Sequence, residues 1–485
     1  MVCSRLAARL LALVLALVSS PESAFAQATQ KARPNIVVLV ADDLGWRDSG
    51  PYGNTAIGTP HIDALARSGL LVKRAFGTTP QCSPSRISIL SGRYPHATRA
   101  EDLHTPLPAS ERLLPAYLQA QGYFTGHMAK THYGPNAEAQ FQWYSPATAS
   151  ALPAFLDSAG TQPFFLWVGF HEPHRPYARG HTPKPHSPAQ VALTPYLADA
   201  PGTRADLALY YDAIAHLDAD IGRMVAELDR RKLRDNTLIV FLSDNGAPFP
   251  REKGTLYDGG TRTPLIFSWT GSIRAGSVED SGLVSTVDLA PTLLEVAGMT
   301  PPQVMQGRSF REMLSTPAAH AGRTYVFSER NWHDCDEHQR AVRSGRYKLI
   351  RTDAYTELPL CTAADIGASA SFLDLRARAK VGRLTAAQRR LFEAPRARLE
   401  LYDLEADPWE LRNVADDPAY AKQVRELAAV LEEWIEQSDD FPAGYRVRDD
   451  NTDRITGVQF TTRIPPLRNP AVPPPDERWG SQGPR

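Results

Sequence analysis

Residues 35–43 read NIVVLVADD, and the fold turns on how that run is taken. Asn35 to Val40 is continuous, β-branched and without polar alternation, the pattern of a strand buried on both faces, and it stops at Ala41-Asp42-Asp43. The same design recurs three times. Thr237 to Leu242 (TLIVFL) stops at Ser243-Asp244-Asn245-Gly246, Phe164 to Gly169 (FFLWVG) leads into Phe170-His171-Glu172-Pro173-His174, and Tyr123 to Met128 (YFTGHM) leads into Ala129-Lys130-Thr131-His132. Each apolar run therefore ends in residues able to do chemistry.

Helical patterns lie between these runs. From Asp206 to Leu233 the residues Leu207, Tyr210, Ile214, Leu217, Ile221, Met224, Val225 and Leu228 fall at spacings of three and four, an apolar stripe that faces a sheet; Asp218 and Asp220 are expected on its solvated side. Strands alternating with helices predict an α/β fold, a doubly wound and mostly parallel sheet covered on both faces. Ligands in such sheets bind beyond the carboxyl ends of the strands, where all four polar clusters fall. Past about residue 325 the texture changes to short strand-like pieces, Thr324 to Ser328, Tyr347 to Arg351 and Leu399 to Leu404, and then a helical stretch from Tyr420 to Ile435. This predicts a catalytic domain over residues 27–325 and a smaller α+β domain over 326–463, followed by a proline-rich arm over 464–485.

The chain has 485 residues and a formal net charge of -1, with no long single-sign run, so nothing points to nucleic acid or an anionic membrane as partner. Residues 1–26 explain one apolar segment: Arg5 and Arg9 are followed by Leu10 to Val18 and by Ala24-Phe25-Ala26, the arrangement of a secretory signal peptide cleaved near Gln27. The run is shorter than the roughly 20 residues of a spanning helix. Cleavage removes Cys3 and leaves Cys82, Cys335 and Cys361, of which the last two are able to pair. None of the nine asparagines begins an Asn-x-Ser/Thr acceptor, which favours a bacterial periplasmic or secreted protein.

Asp42, Asp43, Asp244 and Asn245 offer three carboxylates and an amide, hard oxygen donors that suit Ca²⁺, and next Mg²⁺, better than zinc. Any one of these groups alone is a common turn or cap. Residues 82–92 (CSPSRISILSG) supply a helix, with Pro84 in its first turn, Ile87, Ile89 and Leu90 as apolar positions and Gly92 closing it. Cys82 then sits at the helix N-terminus, where unpaired amides favour an anion, and Arg86 follows one turn later, able to lean back over the cysteine. A buried apolar cysteine is the plain alternative, but Gln81, Ser83, Ser85 and Arg86 surround it. A cysteine phosphatase needs a longer loop between Cys and Arg, and the local signature of a papain-like nucleophile is missing.

Cys82-Ser83-Pro84-Ser85-Arg86 followed by Ser91-Gly92-Arg93 resembles the signature of the type I sulfatases, in which the cysteine is oxidised after translation to Cα-formylglycine by a generating or maturating enzyme. The resemblance extends over about residues 33–417 through the paired aspartates, Lys130-x-His132, His171, Asp244-Asn245 and Lys253 ahead of Tyr257-Asp258-Gly259-Gly260-Thr261-Arg262. It implies a fold similar to alkaline phosphatase and a divalent cation held by Asp42, Asp43, Asp244, Asn245 and the oxidised Cys82. It further implies a sulfate site built from Arg86, Lys130 and Lys253, with His132 as base and His171 as acid. The segments PFFLWVGFHEPHR, SDNGAPFP, KGTLYDGGTRTP and ARLELYDLEADPWELRNVADDP are most similar to the branch of the family that acts on N-sulfated glucosamine of heparan-type glycans.

Glu101, Asp102, His104 and His174 are expected to touch the sugar, while Glu172 and Arg262 are expected to be structural. In isolation Lys130 and His132 would pass for surface charges, and His171 and His174 for loop histidines. Two rival functions stay open: a phosphate or phosphonate ester hydrolase on the same scaffold, and an inactive glycan-binding relative. Oligomeric state is not legible.

Overall fold

The computed structural model describes residues 33–177, 182–317 and 322–442; the expected signal peptide (1–26) and proline-rich arm (464–485) lie outside them. Among the described residues thirteen strands form: β1 (Asn35–Ala41), β2 (Leu70–Phe76), β3 (Phe124–Ala129), β4 (Trp143–Ser145), β5 (Phe164–Gly169), β6 (Thr237–Ser243), β7 (Arg262–Ser268), β8 (Ser277–Glu279), β9 (Val284–Ser285), β10 (Val326–Arg330), β11 (Gln339–Arg343), β12 (Tyr347–Thr352) and β13 (Leu399–Asp403). The first nine make one sheet in the order β4-β3-β5-β1-β6-β7-β2-β8, with β9 against β2. β4, β3, β5, β1 and β6 are mutually parallel, and β7 is antiparallel to both of its neighbours. The α/β sheet is thus mostly parallel, as expected, with one reversed strand.

β1 shows why its sequence does not alternate. Ile36, Val38 and Val40 enter the core on one face, and Val37, Leu39 and Ala41 enter the core on the other. Helix α1 (Cys82–Ser91) covers the first face with Ile87, Ile89 and Leu90. The 30-residue helix α2 (Pro201–Arg230) covers the second with Leu207, Tyr210, Ile214, Leu217, Ile221 and Met224. Burying these side chains at about 25 cal/mol per Å² is the main force holding the layers together.

Asp218 and Asp220 on α2 are buried and not solvated. Asp218 accepts the backbone N–H groups of His61 and Ile62 at the start of the helix Pro60–Arg67, and Asp220 accepts from Thr148 Oγ1. A carboxylate satisfies the orphan amides of a neighbouring helix, an arrangement invisible to periodicity.

A second, four-stranded antiparallel sheet runs β10-β11-β12-β13. Helix α3 (Ala421–Gln437) packs Leu427, Leu431 and Trp434 on Phe327, Val342, Leu349 and Leu401 of that sheet. Among the described residues, those from Pro34 onward form one unit. No helix among them is long and apolar enough to cross a membrane.

Candidate active site

Registered pairing puts β3, β5, β1 and β6 side by side and in parallel, so their carboxyl ends align. Lys130 and His132 follow β3, His171 and His174 follow β5, Asp42 and Asp43 follow β1, and Asp244 and Asn245 follow β6. Gly169 ends β5 without a side chain because a Cβ there would lie 2.1 Å from Lys130 O and 2.6 Å from Arg86 Nη1.

Carboxylate oxygens of Asp42, Asp43 and Asp244 lie within 4.8 Å of one another, and all three residues are buried. Asn245 Nδ2 donates to Asp43 Oδ1 at 2.7 Å, while Asn245 Oδ1 is buried without a hydrogen-bond partner, as is Asp42 Oδ1. Converging carboxylates and orphaned oxygens are what a hard cation would satisfy. The donor set therefore fits a Ca²⁺- or Mg²⁺-type ion.

Basic groups surround this cluster. Lys253 Nζ is 2.8 Å from Asp43 Oδ2, Lys130 Nζ pairs with Asp42 Oδ2, and Arg86 Nε donates to Asp244 Oδ2 at 2.8 Å with Nη2 3.5 Å from Asp42 Oδ1. Arg86 thus reaches across to two carboxylates, with Nη1 on Lys130 O at 3.1 Å. Burial would raise the Asp42 carboxyl, but Lys130 and Arg86 hold it far below the usual range. Burial pushes Asp244 up to about 6 against Arg86, with Asp42 and Asp43 adding to the rise.

Cys82 starts α1, as the sequence predicts, but it is 2% exposed and not at an open helix end. Its Sγ lies 3.8 Å from Asp43 Oδ1. Burial pushes the thiol well above its ordinary value, against Lys253 and Lys130, so it is no thiolate nucleophile as it stands.

His132 and His104 both adopt left-handed backbone conformations, φ 57° and 68°, uncommon for residues other than glycine. Their rings meet at 2.8 Å, Nε2 of His132 to Nδ1 of His104, and His132 Nδ1 is buried without a partner. Burial, with Lys130 and His104, pushes His132 down to about 2, so the ring is neutral. His171 is exposed at the rim, its pKa lowered by burial of the ring. His174 comes closer than its reading as a sugar contact implies: Nε2 is 3.7 Å from Asp43 Oδ2, and a ring nitrogen groups with Asp42 and Cys82. Asp102 Oδ1 accepts from Trp332 N at 3.1 Å, and Glu101 beside it is half-buried. Glu172 accepts from His216 Nδ1, and Arg262 donates to Lys73 O and stacks on Trp46.

Three residues that the sequence did not single out also stand here. Asp365 Oδ2 is 3.5 Å from Lys253 Nζ and joins Asp43 and His174 in one cluster of possible ligands. His333 Nδ1 lies 3.0 Å from Asp334 Oδ2, and Asp334 Oδ2 accepts from Ala364 N at 2.8 Å. The Cys335–Cys361 disulfide, the pairing that the sequence allowed, fastens these two segments together.

A mostly parallel sheet with paired carboxylates at its strand ends, ringed by Arg86, Lys130 and Lys253, is a site for an anionic group beside a cation. A sulfatase family model matches residues 34–299, and the chain belongs to that family: it is a hydrolase of sulfate esters or sulfamates. The model described as N-sulphoglucosamine sulphohydrolase, C-terminal, matches residues 251–359. Among relatives, N-sulphoglucosamine sulphohydrolase of Homo sapiens is 32% identical, over 83% of this chain and 90% of its own. An ulvan-active sulfatase of Formosa agariphila is 29% identical, over 83% and 75%. A solved structure of a protein in complex with its substrate D-glucosamine-2-N,6-O-disulfate shares the fold, with a TM-score of 0.66 at 20% identity, over 84% of this chain and 99% of that one.

Proposed function

We propose that the chain removes the N-linked sulfate from glucosamine at the non-reducing end of heparin- or heparan-type saccharides, with a formylglycine made from Cys82 and a bound Ca²⁺. The observation that carries this reading is the match of residues 251–359 to the C-terminal part of N-sulphoglucosamine sulphohydrolases, because that stretch supplies Lys253 and leads to Asp365. The 32% identity to the human enzyme over most of both chains supports it. Export to the periplasm or beyond belongs to the same proposal, supported by residues 1–26 and by a disulfide that an oxidising compartment would preserve.

When present, the hydrated aldehyde supplies an oxygen nucleophile for sulfur, and the cation lowers the cost of its negative charge. The side chains of this chain do the rest. Asp42, Asp43, Asp244 and Asn245 hold the cation. Arg86, Lys130 and Lys253 stabilise charge on the sulfate oxygens, each contributing on the order of a few kcal/mol from largely buried positions. His132, whose Nδ1 is buried without a hydrogen-bond partner, is the base in this reading. His171 at the rim donates a proton to the departing nitrogen, a step that an amine leaving group requires.

Sulfate on oxygen is the serious competitor, and the ulvan-active relative keeps it in play. The test supplies matched saccharides bearing sulfate at N2, O2, O3, O4 or O6 and compares kcat/KM. N2 should lead. If an O-sulfated sugar is preferred by more than about tenfold, equal to ~1.4 kcal/mol of transition-state binding, the N-sulfate assignment fails.

A further inference from the structure

Between β12 and β13 the chain inserts a long excursion, and within it residues 375–398 hold eight Arg or Lys against the single acid Glu393. The whole chain has a formal net charge of -1, so the rest of it is net acidic and this stretch stands apart. Never more than two of these basic residues are consecutive, so no run of like charge announces them. They also lie beyond both family matches, which end at residues 299 and 359.

The helix Ala370–Lys380 packs Leu375 against Leu384 and Leu391, and Phe392 stacks on Phe372 with ring centroids 5.7 Å apart, so the strap that follows folds back along the helix. Asp374, the acid of this helix, turns inward and accepts from Thr203 N and Oγ1. What remains outside is basic: Arg376, Lys380, Arg383 and Arg389 are all exposed. Among the described residues none of these four is in an ion pair, whereas Arg396 and Arg398 are paired with Glu337 and Asp353. The near end of the helix is fixed to the rim of the candidate site. Ser371 Oγ donates to Asp206 Oδ2 at 2.7 Å, and Arg175, the residue after His174, grips Asp206 at 2.6 and 2.7 Å. At a rise of 1.5 Å per residue, Arg376 and Lys380 stand about 8 and about 14 Å along the axis from Ser371.

We propose that this basic face is a docking surface for the anionic chain of the saccharide whose non-reducing sugar occupies the site. The inference rests on the functional reading above and deepens it, since it gives the internal sugars a place on the protein. Charge names the occupant. A heparin-type chain carries sulfate and carboxylate groups along its whole length, and guanidinium and ammonium groups without carboxylate partners neutralise them while counterions are released. An anionic membrane is the other surface of that sign, and the helix is poorly made for it. Its apolar residues Phe372 and Leu375 pack on the protein, which leaves Leu373 and Val381 as the large apolar groups exposed there, far short of the apolar face that an interfacial helix buries. One exposed charge pair is worth little. Several together matter, and only to substrates long enough to reach them.

The test uses the full-length mature enzyme and two saccharides with the same non-reducing glucosamine-2-N-sulfate, a disaccharide and a heparin-type octasaccharide. At low ionic strength wild type should turn over the octasaccharide with a kcat/KM roughly tenfold higher, the gain lying in KM, and added NaCl should erase it. Arg376→Gln/Lys380→Gln/Arg383→Gln/Arg389→Gln should lose that advantage and keep the disaccharide rate, since none of the four stands in the site. A wild type indifferent to length overturns the proposal, as does a variant that keeps the advantage. Direct titration of each protein with the octasaccharide separates this proposal from the functional reading. If N-sulfate is not cleaved, that reading has failed, and binding alone decides the surface: roughly tenfold weaker binding by the variant supports it, and equal binding overturns it. Vesicles of phosphatidylserine and phosphatidylcholine that bind wild type, fail to bind the variant and are not displaced by the octasaccharide would assign the face to a membrane and overturn the proposal.

Discussion

Arg86 Nε donates to Asp244 Oδ2 at 2.8 Å, and neither side chain has any exposure to solvent. The pair ties the second turn of α1 to the residue that follows β6. In metal-free protein, Arg86→Met should cost about 3–5 kcal/mol, because it strands a buried carboxylate. Arg86→Met/Asp244→Asn should recover more than half of that loss while remaining inactive. Urea denaturation of the two variants measures it; a double variant no more stable than the single one would contradict the pairing.

Removal of the cation should abolish turnover. Exhaustive chelation, with metal content assayed to zero, is expected to leave a folded, inactive enzyme that Ca²⁺ restores better than Zn²⁺, since every donor is an oxygen. Asp244→Ala should lose metal and activity together. Full activity at zero metal would count against the site.

Glu252 adjoins Lys253 and lines a cavity of about 290 Å³ with Trp46, Arg47 and Trp409. Burial pushes its carboxyl up from 4.5 to about 7, against Arg47 and with Asp48 adding to the rise. Folding therefore takes up a proton between those values, and the stability gained below the window is lost as pH rises through about 7. The loss should be on the order of 3 kcal/mol in wild type, and Glu252→Gln should flatten it. Urea unfolding across that pH range decides; an equal slope in both proteins would assign the effect elsewhere.

Formylglycine at Cys82 should appear as a peptide roughly 18 Da lighter than the unmodified one. Fully active protein carrying only thiol at that position would remove the nucleophile from the proposed mechanism.

The Cys335–Cys361 bridge closes 26 residues of chain. Cys335→Ser/Cys361→Ser should lower stability by about 3–4 kcal/mol on the loop-closure account and raise KM more than it lowers kcat, because the bridge fastens His333 and Asp334 to the Asp365 segment. Calorimetry and steady-state kinetics on the two proteins check both halves.

The strand ends were legible because each is local: an apolar run such as Asn35–Val40 stops, and the candidate site residues Asp42 and Asp43 follow within three positions. β2 was not, since Lys73 and Arg74 interrupt its apolar pattern, and β11 (QRAVR) carries too little of one. Asp218 was misread because its partners, the amides of His61 and Ile62, lie on another helix. Asp365 and His333 left no trace in the sequence, for they lie in stretches with no periodicity and gain meaning only from Lys253, far away along the chain.

The enclosure of Cys82 has a bearing on time. A thiol 2% exposed at the start of α1 is out of reach of any modifying enzyme once the chain has folded, so the proposed conversion has to win a race against folding. The two outcomes share one fold and differ at one side chain. A preparation is then a mixture whose active fraction records how that race was run. Specific activity should vary with host and expression rate, while KM, which belongs to the converted molecules alone, stays constant.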